Sequence, residues 1–194
     1  MTQEIEIEFK NLLTEEEFLR LAGFFHITKD DFSLQENHYF DTPDFQLKEM
    51  GSALRIRNKN NQYILTLKEP APVGLLETHQ ILNREHADQI LSSAACIPAG
   101  QIKDRLQSLG INGESITFFG TLSTNRSEKK YKEGLIVLDH SRYLNREDYE
   151  IEYEVSNAES GLAIFHELLS ALHIPIRETP NKIKRFYNQK YKFK

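Results

Sequence analysis

Residues 3–10 read Gln-Glu-Ile-Glu-Ile-Glu-Phe-Lys, a strict two-residue alternation that a β-strand sorts onto two faces. Glu4, Glu6, Glu8 and Lys10 fall on one face, with Ile5, Ile7 and Phe9 on the other. Same-face neighbours on a strand lie about 6.6–7 Å apart, so three carboxylates in a row repel one another. A single strand of this kind reads as a solvated edge, where charge discourages aggregation. The pattern returns at 149–155, Tyr-Glu-Ile-Glu-Tyr-Glu-Val, which puts Glu150, Glu152 and Glu154 in a second acidic row. Between the acidic strands, Ala53-Leu54-Arg55-Ile56-Arg57 sets two guanidinium groups on one face. Tyr63-Ile64-Leu65-Thr66-Leu67-Lys68 sets Lys68 opposite Leu65 and Leu67. A sheet has only two edges, so four strands with one charged face require a whole polar sheet surface.

Working outward, Thr14 and Glu17 form a capping box ahead of Phe18, Leu21, Ala22 and Phe25 at helical spacing. Further strands are expected at 32–40, 52–58, 62–69 and 75–82, with 58–61 as a hairpin turn and 41–44 as a turn in which Asp41 bonds its local backbone. Helices are expected at 84–95 and from Pro98 to Leu109, stopped by Gly110. Strands resume at 115–125, 130–139 and 148–155. Ser156 and Glu159 then suggest a second capping box before the stripe Leu162, Phe165, Leu168, Leu169 and Leu172, and 181–191 reads as a last helix. Short turns between successive strands favour antiparallel pairing. The class is α+β, around one large antiparallel sheet or barrel. No linker divides the chain, so residues 1–194 are expected to form a single domain.

The 24 Lys and Arg against 29 Asp and Glu give a net charge of −5. That balance argues against a nucleic-acid polymer as partner. No apolar run approaches the roughly 18–20 residues of a membrane helix. One cysteine, Cys96, excludes an internal disulfide and a multi-cysteine zinc site. An acidic, alternating N-terminus is not a signal peptide, and the expected location is cytoplasmic.

The charged face has two possible settings, an open sheet showing it to water or a closed barrel lined by it. Carboxylate rows suit hard divalent cations, and Arg and Lys rows suit phosphate oxygens, Arg with bidentate geometry. Both together describe a site for a metal–polyphosphate complex.

Glu6-Ile7-Glu8-Phe9-Lys10 resembles the Glu-x-Glu-x-Lys signature of the CYTH superfamily, the triphosphate tunnel metalloenzymes. The ordered set that follows is more specific: His38-Tyr39-Phe40-Asp41-Thr42-Pro43, Leu54-Arg55-Ile56-Arg57, Leu65-Thr66-Leu67-Lys68, Leu138-Asp139, Glu150-Ile151-Glu152 and Lys182 through Arg185. The resemblance runs from Glu6 to about residue 187. It implies an eight-stranded antiparallel barrel with helices packed outside and charged strand faces turned inward. It also implies Mg²⁺ or Mn²⁺ on Glu6, Glu8 and Glu152, with Glu150, Glu154 and Asp139, and with Glu4 and Glu77 as additional candidates. Lys10, Arg55, Arg57, Lys68, Arg126, Lys182 and Arg185 would grip phosphate oxygens, and Tyr39 with Lys68 would serve catalysis. His79 stands where many members carry another acidic or basic residue, and it reads as a packed or exposed histidine. His38 is equally open.

The leading expectation is metal-dependent hydrolysis of a small triphosphate, inorganic triphosphate first. The alternatives are a class IV-type adenylyl cyclase, a thiamine triphosphatase and a non-catalytic polyphosphate- or nucleotide-binding module. Oligomeric state is not legible, with a homodimer left open.

Overall fold

A computed structural model describes residues 2–93 and 97–191. Eight strands appear in chain order: β1 (Thr2–Leu13), β2 (Ser33–Asp41), β3 (Ala53–Lys59), β4 (Gln62–Pro70), β5 (Leu75–Leu82), β6 (Thr117–Tyr131), β7 (Gly134–Tyr143) and β8 (Arg146–Val155). They close in the order β1-β5-β4-β3-β2-β6-β7-β8, an eight-stranded antiparallel β-barrel. Closure removes every edge, so the regular charged alternation is not edge protection. Among the described residues, six α-helices accompany the barrel: α1 (Glu15–Phe24), α2 (Gln46–Glu49), α3 (Arg84–Ser93), α4 (Gln101–Ser108), α5 (Ala158–Ala171) and α6 (Lys182–Tyr191).

The contacts divide the chain into two compact units, residues up to 5 with 35–122, and 6–34 with 123 onward. In the first, Leu54, Ile56, Leu65 and Leu67 of β3 and β4 form a core with Ala87 and Ile90 of α3 and Ile102 and Leu106 of α4. In the second, Ile136, Leu138, Ile151 and Tyr153 of β7 and β8 pack on Phe18 and Leu21 of α1 and Phe165, Leu168 and Leu169 of α5. In both units the apolar strand face meets helices.

Local chemistry sets the boundaries. The Thr14–Glu17 capping box opens α1, with Glu17 N–H donating to Thr14 Oγ1 and Glu17 Oε2 accepting from Thr14 N–H. Asn60 and Asn61 both take positive φ, 53° and 61°, and join β3 to β4 as the residues of a two-residue hairpin. Asp41 accepts from the backbone N–H groups of Thr42 and Leu47 through Oδ1 and of Lys48 through Oδ2, which anchors the four-residue α2, an element the sequence did not announce.

Two boundaries differ from expectation. Residues 117–131 form one long strand, so the β6–β7 turn lies at 132–133, where Lys132 has φ 48°. Alternation carried no turn residue there except Gly134, and Lys132 adopts the left-handed conformation without an Asn or Gly signal. At α5 the cap is Asn157, whose Oδ1 accepts from Ser160 N–H, rather than Ser156 with Glu159. Asn is as strong an N-cap as Ser, and β8 runs through 155. The expected end of the helix at 95, and Cys96, lie outside the described residues.

Candidate functional site

In the second unit, register gathers the charged residues on one face of adjoining strands. Glu8 lies opposite Glu154 and Lys10 opposite Glu152, with Glu6 two residues before Glu8 on the same face. On the other side of β8, Asp139 lies opposite Glu150, and Arg126 lies opposite Asp139. The first turn of α6 adds Lys182 and, three residues on and therefore on one helix face, Arg185.

These residues are tightly paired. Arg126 holds Asp139 bidentately, Nε to Oδ1 at 2.8 Å and Nη2 to Oδ2 at 2.6 Å, and Nη2 also donates to Glu152 Oε2 at 2.8 Å. Lys182 Nζ donates to Glu152 Oε1 at 2.5 Å and lies 2.8 Å from Asp139 Oδ2 and 3.3 Å from Glu150 Oε1. Arg185 donates to Asp148 Oδ2 at 3.0 Å and pairs with Glu150, while Lys10 pairs with Glu8. Asp139 and Glu150 are fully buried, so each charge depends on its partners.

The pairing separates the carboxyls. Burial pushes Glu152 and Asp139 up, but Lys182 and Arg126 prevail, holding Glu152 well below the usual carboxylate range and Asp139 below its own. Glu150 goes the other way, raised by burial and by Glu152 despite Lys182 and Arg185. Glu154 is pushed up to about 7 by burial, then by Glu152, Glu6 and Glu8, with Arg126 opposing. Burial works against Lys182 and Arg126, yet their acidic neighbours raise both.

The first unit carries its own polar row. Across β2, β3, β4 and β5, register aligns Tyr39, Arg55, Thr66 and His79 on one face. One step to one side of that row, Arg57 Nε donates to Asn37 Oδ1 at 3.1 Å, and one step to the other side Lys68 pairs with Glu77 directly opposite. Tyr39 is buried and Arg55 and Arg57 are half-buried. His79 bonds through Nδ1 to Thr66 Oγ1 at 3.0 Å and through Nε2 to Glu4 Oε1 at 3.1 Å, with Glu77 Oε2 3.5 Å from Nε2. It is therefore neither free on the surface nor packed among apolar groups. His38 points to the other face of β2, bonds Thr121 Oγ1 at 2.8 Å and lies against Phe118. Burial lowers its pKa, opposed by Glu36.

Four polar residues went unsingled in the sequence: Asn37, Thr66, Asp148 and Tyr143. Asp148 was within reach of parity, standing two residues before Glu150 on the same face of β8. Tyr143 donates to Asp148, which together with burial lifts its pKa to about 12. Thr66 and Asn37 carry no charge, and only cross-strand register reveals them.

Comparison with known proteins bears on this arrangement. The family model for the CYTH domain matches residues 4–187. A Bacillus subtilis (strain 168) protein named "Putative triphosphatase YjbK" is 55% identical over 192 residues, covering 99% of each chain. A crystal structure from Bacillus halodurans, described as a "putative adenylate cyclase", is 48% identical with a TM-score of 0.93, covering 96% of this chain and all of that one. A Hippeastrum protein, HpAC1, whose structure is reported with a dominant triphosphatase activity, shares the fold at 23% identity and TM-score 0.82, covering 95% of this chain and 96% of that one.

Proposed function

This chain belongs to the CYTH domain family, and from that premise we propose that it hydrolyses a small triphosphate with a divalent cation, inorganic triphosphate being the first substrate to test. The observation that carries the reading is Glu8 directly opposite Glu154, with Glu6 beside them on the same face. Like charges in register destabilise a strand pair, and a divalent cation reverses that penalty. The donors there are all carboxylate oxygens, which suits Mg²⁺ or Mn²⁺. The 55% identity to a protein named as a triphosphatase supports the same reaction class.

In this reading Glu6, Glu8 and Glu154 hold the cation, with Glu150, Glu152 and Asp139 as neighbouring carboxylates. The cation would supply Lewis-acid polarisation of phosphate oxygens. Arg126, Lys182, Arg185 and Lys10, in the same unit, are the phosphate ligands; Arg55, Arg57 and Lys68 are phosphate-binding candidates of the first unit's own polar row. The acidic partners of Arg126, Lys182, Arg185 and Lys10 keep those cations charged and fixed in direction, so they need little rearrangement as negative charge grows on the leaving diphosphate. Lys68, ion-paired to Glu77, acts as a donor of hydrogen bonds rather than as a base. Tyr39, on the Arg55 row, orients the attacking water by a hydrogen bond through its hydroxyl, and the proton of that water goes to a phosphate oxygen as the bond to the leaving diphosphate breaks. We also read residues 1–194 as one domain, because β1, β2 and β6 each run from one unit into the other.

The test is phosphate release from inorganic triphosphate with Mg²⁺ or Mn²⁺. Release that falls at least a hundredfold in Glu8→Ala and in Arg57→Ala is expected, and no release above background from the wild-type protein overturns the reading. Adenylyl cyclase is the second reading, favoured by the description of the Bacillus halodurans relative. With ATP, cyclic AMP plus diphosphate would mark the cyclase, and ADP plus phosphate the hydrolase.

A further inference from the structure

Within the second unit, residues 174–181 join α5 to α6 without regular secondary structure, yet side chains fasten them closely to β1 and α1. Asn11 is fully buried and stands in for a strand partner. Its Oδ1 accepts from Arg177 N–H at 2.7 Å and its Nδ2 donates to Pro175 O at 3.1 Å. Leu12 gives both backbone groups to the same segment, N–H donating to Thr179 Oγ1 at 2.9 Å and C=O accepting from Arg177 Nη1 at 2.9 Å. The Arg177 guanidinium then forks onto Glu17, Nη1 to Oε2 at 2.8 Å and Nη2 to Oε1 at 2.9 Å. A bidentate pair of this kind fixes direction as well as distance.

This fastening ends just before α6. Two residues separate Thr179 from Lys182: Pro180, whose ring fixes φ, and Asn181, whose Oδ1 accepts from Lys184 N–H at 2.8 Å as a helix cap. The link is short and stiff, so the place of the strap sets the place of the first helical turn. Further along, Arg185 bonds Asp148 and Phe186 packs edge-on against Tyr143 with centroids 5.5 Å apart, which holds the body of the helix separately. Lys182 carries a point charge on a flexible stem, so its backbone position decides where the ammonium can reach. That ammonium stands 2.5 Å from Glu152, 2.8 Å from Asp139 and 3.3 Å from Glu150.

We infer that Arg177, held by Glu17 and Asn11, is a positioning residue for Lys182, and that the strap keeps the Lys182 ammonium where it meets the triphosphate. The inference rests on the reading of Lys182 as a phosphate ligand. A group displaced by about 1 Å can cost about a hundredfold in rate, so a clamp remote from the phosphates has a measurable effect on turnover. The Arg177 side chain is one-third exposed, and truncating it opens no cavity in the core.

Phosphate release from inorganic triphosphate with Mg²⁺ or Mn²⁺ is compared in wild type, Arg177→Ala, Lys182→Gln and the double variant, each checked for folding by circular dichroism. kcat/KM is expected to fall about tenfold or more in Arg177→Ala, and to change less than about threefold when that substitution is added to Lys182→Gln. A residue that only supports the fold would lower activity by the same factor in both backgrounds. Thr179→Val, which keeps the side-chain shape and removes the acceptor for Leu12 N–H, should reproduce the loss in milder form. Hydrogen exchange reads the positioning without substrate and without the Lys182 variant. The amides of residues 184–187 should exchange about tenfold or more faster in Arg177→Ala, with those of β7 and β8 unchanged. Equal losses in both backgrounds, or unaltered exchange in α6, overturn the proposal. The expected exchange in a protein that releases no phosphate leaves Lys182 positioned by Arg177 and counts against the triphosphatase reading alone.

Discussion

At the scale of single residues, this chain holds charges whose worth depends on their partners. Lys182 sits among Asp139, Glu150 and Glu152, all buried. Lys182→Met leaves those carboxylates without their shared cation, and breaking a buried pair from one side costs about 3–5 kcal/mol. Urea denaturation at pH 7 should show a loss of that order. Asp139 and Glu152 are held low, so the stability they contribute is present above their unfolded values and lost as pH falls through the folded ones. The deficit of Lys182→Met should therefore shrink as pH is lowered from 6 toward 3. Glu154 has the opposite sign. Its folded pKa, about 7, lies above the unfolded 4.5, so the native state binds the proton more tightly and wild type loses stability as pH rises from about 4.5 to 7. In metal-free protein, Glu154→Gln should match wild type near pH 4.5 and exceed it by about 1–3 kcal/mol at pH 8, read from chemical denaturation at each pH. The sequence supplied the face of each of these carboxylates but not their separation in pKa. Glu150, Glu152 and Glu154 look alike along β8, and only the placement of Lys182 and Arg126 makes one low and two high.

Among the elements, α5 shows two local rules in conflict. Gly161 sits inside the helix, where Ala would gain about 1 kcal/mol in propensity. A Cβ there would meet Val155 Cγ2 at 2.6 Å and Phe9 Cε2 at 3.1 Å, because the helix lies close over β8 and β1. Overpacking of this kind costs about 1–3 kcal/mol, so the clash prevails and Gly161→Ala should lower Tm by several degrees in a thermal melt. The β3–β4 hairpin offers the reverse case. Asn61 holds φ 61°, a conformation glycine adopts without penalty. Asn61→Gly should raise stability by a few tenths of a kcal/mol, and urea midpoints resolve it. The Asn-Asn turn and the Thr14 box were legible because their chemistry is local. The β6–β7 turn was not, since Lys132 gives no sign of its left-handed backbone.

For the whole molecule, eight strands close on themselves and the family model covers residues 4–187. No helix among the described residues is long and apolar enough to cross a membrane. A net charge of −5 averages over faces that are sorted by sign. If the charged face takes a metal–triphosphate complex, a non-hydrolysable triphosphate with Mg²⁺ at about 100 times its Kd should stabilise the fold by about 2.7 kcal/mol. A Tm shift that needs both components, and that vanishes in Glu8→Ala, is the expected outcome; a shift produced by Mg²⁺ alone would assign the gain to the cation.

Period-two alternation determined by itself which residues share a face, because side chains on a strand alternate whatever the strand pairs with. From that came the acidic rows, the basic strands between them, and the apolar faces that meet helices. Which strands adjoin was decided only by the tertiary structure. β1 lies beside β5 and β8, and β2 beside β6, through pairings distant in the chain. His79 joined Glu4 and Thr66, and Lys182 joined Asp139 and Glu152, by the same long-range register. A local pattern can orient a side chain, but its partner and its dielectric surroundings come from residues far away in sequence.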